Sequence, residues 1–136
     1  MFTSKGQLKY SKIEDKYKLI VSVDEEIVRY YRSLIPKWFK VNPQMHRAHI
    51  SVVRNEVPPK MEFWGKYEGE IIEFCYESII RQGSVYWWLN VFCKRLEEIR
   101  LELGLPVSSP YTLPPEEFTK CWHISLGNQK ELHKNA

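Results

Sequence analysis

The chain has 136 residues, of which 43% are hydrophobic and 27% charged, and it carries a net charge of +3. That is the composition of one globular domain with enough apolar surface to bury a core, and it holds no low-complexity tract. The mild, unclustered charge argues against a protein that coats duplex DNA and suits a cleft that receives a small anion.

The first residues, MFTSKGQLKYSKIEDKYK, contain no apolar signal-like run, and no stretch approaches the length of a membrane span. Cys75, Cys93 and Cys121 are odd in number and widely spaced, which fits neither a disulfide framework nor a CxxC metal site. A cytoplasmic protein without a membrane partner is the expectation.

In chain order, QLKYS (7–11) gives a first short strand and KYKLIVSVD (16–24) a second, rich in β-branched residues. Asp24 can cap a helix whose first turn holds Glu25 and Glu26, and Pro36 stops that helix near Leu34. Ile27, Tyr31, Leu34 and Trp38 fall on one face of it. A strand over 47–55 ends at Pro58-Pro59. EGEIIEFCYES (68–78) alternates, with Ile72, Phe74 and Tyr76 opposite Glu73 and Glu77.

Gln82-Gly83 reads as a turn and SVYWWLNV (84–91) as a strand. Phe92, Leu96, Ile99 and Leu103 have helical spacing, with Gly104 and Pro106 as stop signals. Arg95, Glu97, Glu98 and Arg100 read as that helix's charged face. A Ser/Pro-rich loop over 105–118, a possible lid, leads to a last strand over roughly 119–127. The resulting β-α-β-β-β-α-β order, with hairpin-like spacing in the middle, predicts an α+β fold with antiparallel pairing.

One tetrapeptide theme occurs twice. Residues 49–52 read HISV and residues 123–126 read HISL, 74 positions apart. On a strand His49 and Ser51 share one face while Ile50 and Val52 take the other; His123 and Ser125 are likewise opposite Trp122, Ile124 and Leu126. Two such strands side by side would bring two imidazoles and two hydroxyls to one cleft. Imidazole, with a pKa of about 6.5, can accept a proton in one copy and donate one in the other. Hydroxyls between them can hydrogen-bond the non-bridging oxygens of a phosphodiester as charge builds there. By average composition, two copies arise by chance in roughly one chain of this length in a thousand.

In these two motifs the chain resembles the 2H phosphoesterases, a family defined by two H-Φ-[ST]-Φ motifs (Φ hydrophobic). The resemblance implies a two-lobed, pseudo-twofold α+β fold: antiparallel sheets, flanking helices and a central cleft. It further implies His49 and His123 as the acid/base pair, and Ser51 and Ser125 as phosphate-binding hydroxyls. It needs no metal and no cofactor. Family members act on 2′,3′-cyclic phosphates, 2′–5′ linkages or cyclic nucleotides. The small size is similar to the compact phage branch that degrades the cyclic oligonucleotide messengers of bacterial immunity, the anti-CBASS enzymes; that would place the protein in the host cytoplasm. The alternatives are an enzyme of RNA 2′,3′-cyclic phosphate ends, like the RNA-ligase-like branch, and a nucleotide-binding sponge without turnover.

Around this pair, Arg47 shares the strand parity of His49 and Ser51 and is a candidate phosphate ligand, with Arg54 and Lys120 as further cations. Tyr86, Trp88, Tyr111 and Trp64 are candidate base-stacking aromatics. His46, three before His49, has metal-ligand spacing only on a helix, not on a strand. His133 falls in a polar tail. No G-x-S-x-G, P-loop or G-x-G-x-x-G occurs, so hydrolase-elbow, NTPase and dinucleotide readings have no support.

Overall fold

A computed structural model of the chain describes residues 1–114 and 121–130. Lys120, His133 and the last part of the expected lid lie outside them. Among the described residues, seven strands and two α-helices follow in the order β1 (Phe2–Ile13), β2 (Lys16–Ser22), α1 (Glu25–Ser33), β3 (His49–Arg54), β4 (Ile71–Tyr76), β5 (Arg81–Gln82), β6 (Tyr86–Phe92), α2 (Lys94–Glu102) and β7 (Trp122–Asn128). The fold is α+β, and every strand pairing is antiparallel.

The strand order is β4-β1-β2-β3-β7-β6-β5, and β4 also pairs with β6, so six strands close into a ring of pairings. The two strands that carry the repeated tetrapeptide, β3 and β7, are neighbours. Each is also paired to the strand that precedes its own helix: β2 to β3 across α1, and β6 to β7 across α2.

One face of the strands is apolar and meets the helices. Leu8, Val21, Ile50, Phe74, Val91 and Ile124 pack with Leu96 and Ile99 of α2 and with Leu103 just after it. Tyr31 and Ile35 pack against Trp87, Leu89 and Leu126. At roughly 25 cal/mol per Å² of apolar area, this burial is the main force holding the sheet to its helices.

Asp24 caps α1 as its sequence predicts, its Oδ1 accepting from the backbone N–H of Glu26 at 2.9 Å. Gly104, with φ of 83°, ends the turn after α2 in the left-handed conformation that glycine adopts without steric cost.

Five expectations need correction. β1 is far longer than a five-residue strand, and Arg81–Gln82 form a short strand, so the turn expected at Gln82-Gly83 begins only at Gly83. Leu34 and Trp38 are exposed at 52% and 77%, because α1 stops at Ser33 and only residues before that point share a continuing helical face. Phe92 belongs to β6 and is exposed. Arg100 is not on a solvated face: it is fully buried, its Nη2 2.8 Å from Glu56 Oε2, and it donates to the carbonyls of Val52 at 2.8 Å and Pro106 at 2.7 Å. A buried guanidinium is tolerable when its donors are matched in this way.

Candidate active site

Ile50 of β3 pairs with Ile124 of β7. In an antiparallel pair, that register puts Ser125 across from His49 and His123 across from Ser51. Ser125 is flanked on its other side by Trp88 of β6 and His123 by Asn90. Ser22 and Ile20 of β2 pair with His49 and Ser51. All four motif side chains therefore share the face opposite the core.

Both histidines are held the same way. Nδ1 of His49 lies 2.8 Å from the carbonyl oxygen of Arg47, and Nδ1 of His123 lies 3.3 Å from that of Thr112. A carbonyl can only accept, so each Nδ1 carries the proton and donates it. Each Nε2 is then left with its lone pair, ready to take or return a proton.

Desolvation is the main cause that lowers both histidine pKa values. For His49, the charges of Lys18, His46 and Arg54 lower it further, against the raising effect of the Arg47 carbonyl. His123 is pushed down to about 4, chiefly by burial, with His49 and Arg54 adding to it and the Thr112 carbonyl opposing. Both rings are thus neutral at pH 7 in the unliganded protein. A negative charge brought close by would reverse that balance, because it favours the imidazolium.

Ser51 is buried and Ser125 partly buried. Among the described residues neither hydroxyl makes a hydrogen bond to the protein. With its donor uncommitted, each can offer it to a ligand oxygen on this face.

The strand alternation around the motifs is interrupted twice. A bulge sits in β3 where the register to β2 shifts between Leu19 and Ile20, so that Ser51, Val52 and Val53 are all buried. A second irregularity lies between Trp87 and Trp88. Trp88 pairs with Ser125 and shares its face, yet it is only 2% exposed and donates its Nε1–H to Asn90 Oδ1 at 2.9 Å. Asn90 passes the chain on, its Nδ2 3.2 Å from Glu77 Oε1. Trp88 is therefore a buried wall behind the histidines with no open ring face for a base.

Of the other aromatics, Tyr111 is exposed and adjoins Thr112, whose carbonyl holds His123. Tyr86 is partly buried under the ammonium of Lys130, 5.3 Å from its ring. Trp64 is packed edge-on against Tyr10 and Tyr17 at 4.9 and 5.2 Å, among the residues around the main core. Arg47 precedes β3, so strand parity does not govern it; it is exposed, and its carbonyl, not its guanidinium, is what contacts His49.

His46 lies in the same turn, its ring 6.5 Å from that of His49. Among the described residues no three His, Cys, Asp or Glu side chains gather in a way that could hold a metal ion.

A cavity of about 530 Å³ opens from His49 and Ser125 and runs between α1 and the 36–48 loop. Arg32 braces its wall: Nη1 donates to Leu126 O at 2.8 Å and Asn42 O at 3.3 Å, and Nη2 to Val41 O at 3.1 Å. Lys18, Asn90, Arg32 and the Thr112 carbonyl belong to the site's surroundings without any sequence motif that marks them.

No family model, no curated protein and no solved structure matches the chain. Among the described residues no helix is long and apolar enough to cross a membrane.

Proposed function

We propose that the protein is a 2H-type phosphodiesterase of nucleotides, with His49 and His123 as paired acid and base. One observation carries the reading. The Ile50–Ile124 register gathers both His-Ile-Ser motifs on one face, with both imidazoles held by Nδ1 and both hydroxyls uncommitted.

The topology supports it. β2-α1-β3 and β6-α2-β7 are equivalent units meeting at β3 and β7, and a twofold axis through the Ile50–Ile124 pair exchanges His49 with His123 and Ser51 with Ser125. This symmetry of order supports the pseudo-twofold reading that the family resemblance implies.

In the reaction, Nε2 of the neutral histidine takes the proton of a water or ribose 2′-hydroxyl as that oxygen bonds to phosphorus. The other histidine, protonated once the substrate anion is bound, gives its proton to the oxygen that leaves. The P–O bond to that oxygen breaks, and the proton count balances across the pair. Ser51 and Ser125 donate hydrogen bonds to the non-bridging oxygens, which carry the charge of the transition state. The polarised resting state, with both rings neutral, makes substrate binding and protonation one event.

A cyclic di- or oligonucleotide messenger is the preferred substrate. The cavity beside His49 is a bounded space in the range of small-ligand pockets, whereas an enzyme of RNA ends would bind with the steep salt dependence of a long anionic chain.

The test is incubation of purified protein, in EDTA, with cyclic dinucleotides, cyclic trinucleotides and RNA ending in 2′,3′-cyclic phosphate, with products resolved by mass. Cleavage of one class, lost in His49→Ala and in His123→Ala, is the expected result. Cleavage of RNA ends alone would move the substrate to the runner-up class. Ligand bound but intact throughout would make the protein a sponge.

A further inference from the structure

We infer that the cavity between α1 and the 36–48 loop is a second phosphate site, which takes the phosphate next to the scissile one in a nucleotide chain. The inference rests on the phosphodiesterase reading only for the word scissile; the site itself stands on its own charges.

Five cations line the cavity: Arg29, Arg32, Lys37, Lys40 and Arg47. A single acid, Glu25, accompanies them, and its carboxylate is occupied, with Oε2 accepting from the backbone N–H of Ala48 at 2.8 Å. Arg29 is paired with Glu26. Among the described residues, no carboxylate pairs with Arg32, Lys37, Lys40 or Arg47. Elsewhere among the described residues, Arg81 pairs with Glu77, Arg95 with Glu70 and Glu98, and Arg100 with Glu56. Four cations without a carboxylate partner thus line one concavity, against a single acid that is already hydrogen-bonded to the backbone.

Arg32 gives the site its fixed point. Its guanidinium is partly buried and satisfied only by three backbone carbonyls, which orient it without cancelling its charge. The approach is made tight by Gly127: a Cβ there would meet Arg32 Nη1 at 2.6 Å and clash with the Asn42 carbonyl. The mobile-stemmed Lys37 and Lys40 and the exposed Arg47 surround this point and can close on an anion.

Location names the ligand. His49 and Ser125 belong both to the motif face and to the cavity wall, whereas His123 and Ser51 do not line the cavity. A chain whose phosphodiester sits between the two histidines therefore enters the cavity from the His49 side, and the next anionic group along it meets the cations. A nucleoside cyclic monophosphate has no such group. The substrate class that uses the whole site carries at least two phosphates.

The test is a binding measurement that needs no turnover. Calorimetric titration would compare three phosphorothioate-linked dinucleotides: one with a 5′-phosphate, one with a 3′-phosphate and one with neither, against wild type and Lys37→Gln/Lys40→Gln. Both lysines are exposed and outside the strands and helices α1 and α2, so the variant folds. Wild type is expected to bind one of the two phosphorylated forms about tenfold or more tightly than the unphosphorylated form, and the end that matters fixes the polarity of the bound chain. In the variant most of that gain is lost while the unphosphorylated dinucleotide binds as before. No gain from either phosphate, or a gain untouched in the variant, would overturn the site. Failure of catalysis in the substrate panel leaves this binding result intact, so the two ideas fail separately.

Discussion

Ile50 and Ile124 face each other across the β3–β7 pair, and that single register decides where four polar side chains go. Had β7 slipped by one residue, alternation would have sent His123 and Ser125 into the core and Ile124 into the cleft. Two fully buried isoleucines resist that slip. The apolar half of each tetrapeptide is thus what places its polar half.

Replacing either histidine with alanine is expected to lower kcat/KM by about a hundred- to ten-thousand-fold, the usual worth of a positioned acid or base. The double variant should cost less than the product of the two losses, because the pair acts as a unit. Circular dichroism and urea midpoints at pH 7 should stay near wild type. Near-normal turnover in either single variant sinks the mechanism.

The lowered histidine pKa values set the pH profile of kcat/KM. The reactive free enzyme has one ring neutral and one protonated, a state populated between the two pKa values. The acid limb is expected at about 4, from His123, and the alkaline limb below the ordinary imidazole value, from His49. The rate should therefore fall with rising pH already below neutrality. Because bound phosphate raises both pKa values, the kcat profile lies to the alkaline side of the kcat/KM profile. A profile flat from pH 4 to 8 contradicts two-histidine catalysis.

The same shifts bear on stability. A histidine whose pKa is lower folded than unfolded binds protons better when unfolded, so stability is full above the unfolded value and is lost as pH falls toward the folded one. For His123 that window runs from about 6.5 down to about 4. Urea midpoints measured across it should decline for wild type and decline less for His123→Ala.

The sequence shows the parts of this site that follow local rules. Asp24 before two glutamates predicts the cap, and His-Ile-Ser in an alternating run predicts which side chains share a face. What it hides depends on the backbone or on distant pairing. The Thr112 and Arg47 carbonyls that set the histidine tautomers have no side-chain signature. Alternation places Trp88 correctly on the Ser125 face, opposite Trp87 and Leu89, but does not give its burial there, which comes from packing rather than parity. Arg100 has the spacing of a solvated helix position, and only the return of Glu56 and the Val52 carbonyl explains its burial. The basic cavity is built from α1 and an irregular loop, where no periodicity gathers the charges in advance.

Gly127→Ala probes the wall between β7 and the 36–48 loop. The new methyl would press on the Asn42 carbonyl, Arg32 Nη1 and a Val41 methyl. Asn42 is also paired to Asn128 through backbone bonds of 2.7 and 3.0 Å, so the loop cannot move without breaking them. A loss of about 1–3 kcal/mol is expected, as for other overpacked sites. Chemical denaturation reads the loss directly, and an unchanged midpoint would show that the loop yields freely.

Arg100→Met tests whether the buried ion pair fastens α2 to the motif strand. Met retains the apolar stem but leaves the Glu56 carboxylate and the carbonyls of Val52 and Pro106 without their donor. Val52 lies at the β3 bulge, one residue after Ser51, and Pro106 begins the segment that reaches Thr112. Removing one partner of such a pair typically costs about 3–5 kcal/mol. The urea midpoint should fall accordingly, and Arg100→Met/Glu56→Leu should recover part of it, since the stranded charge is then gone. Were the double variant as unstable as Arg100→Met alone, the unpaired carbonyls rather than the carboxylate would account for the loss.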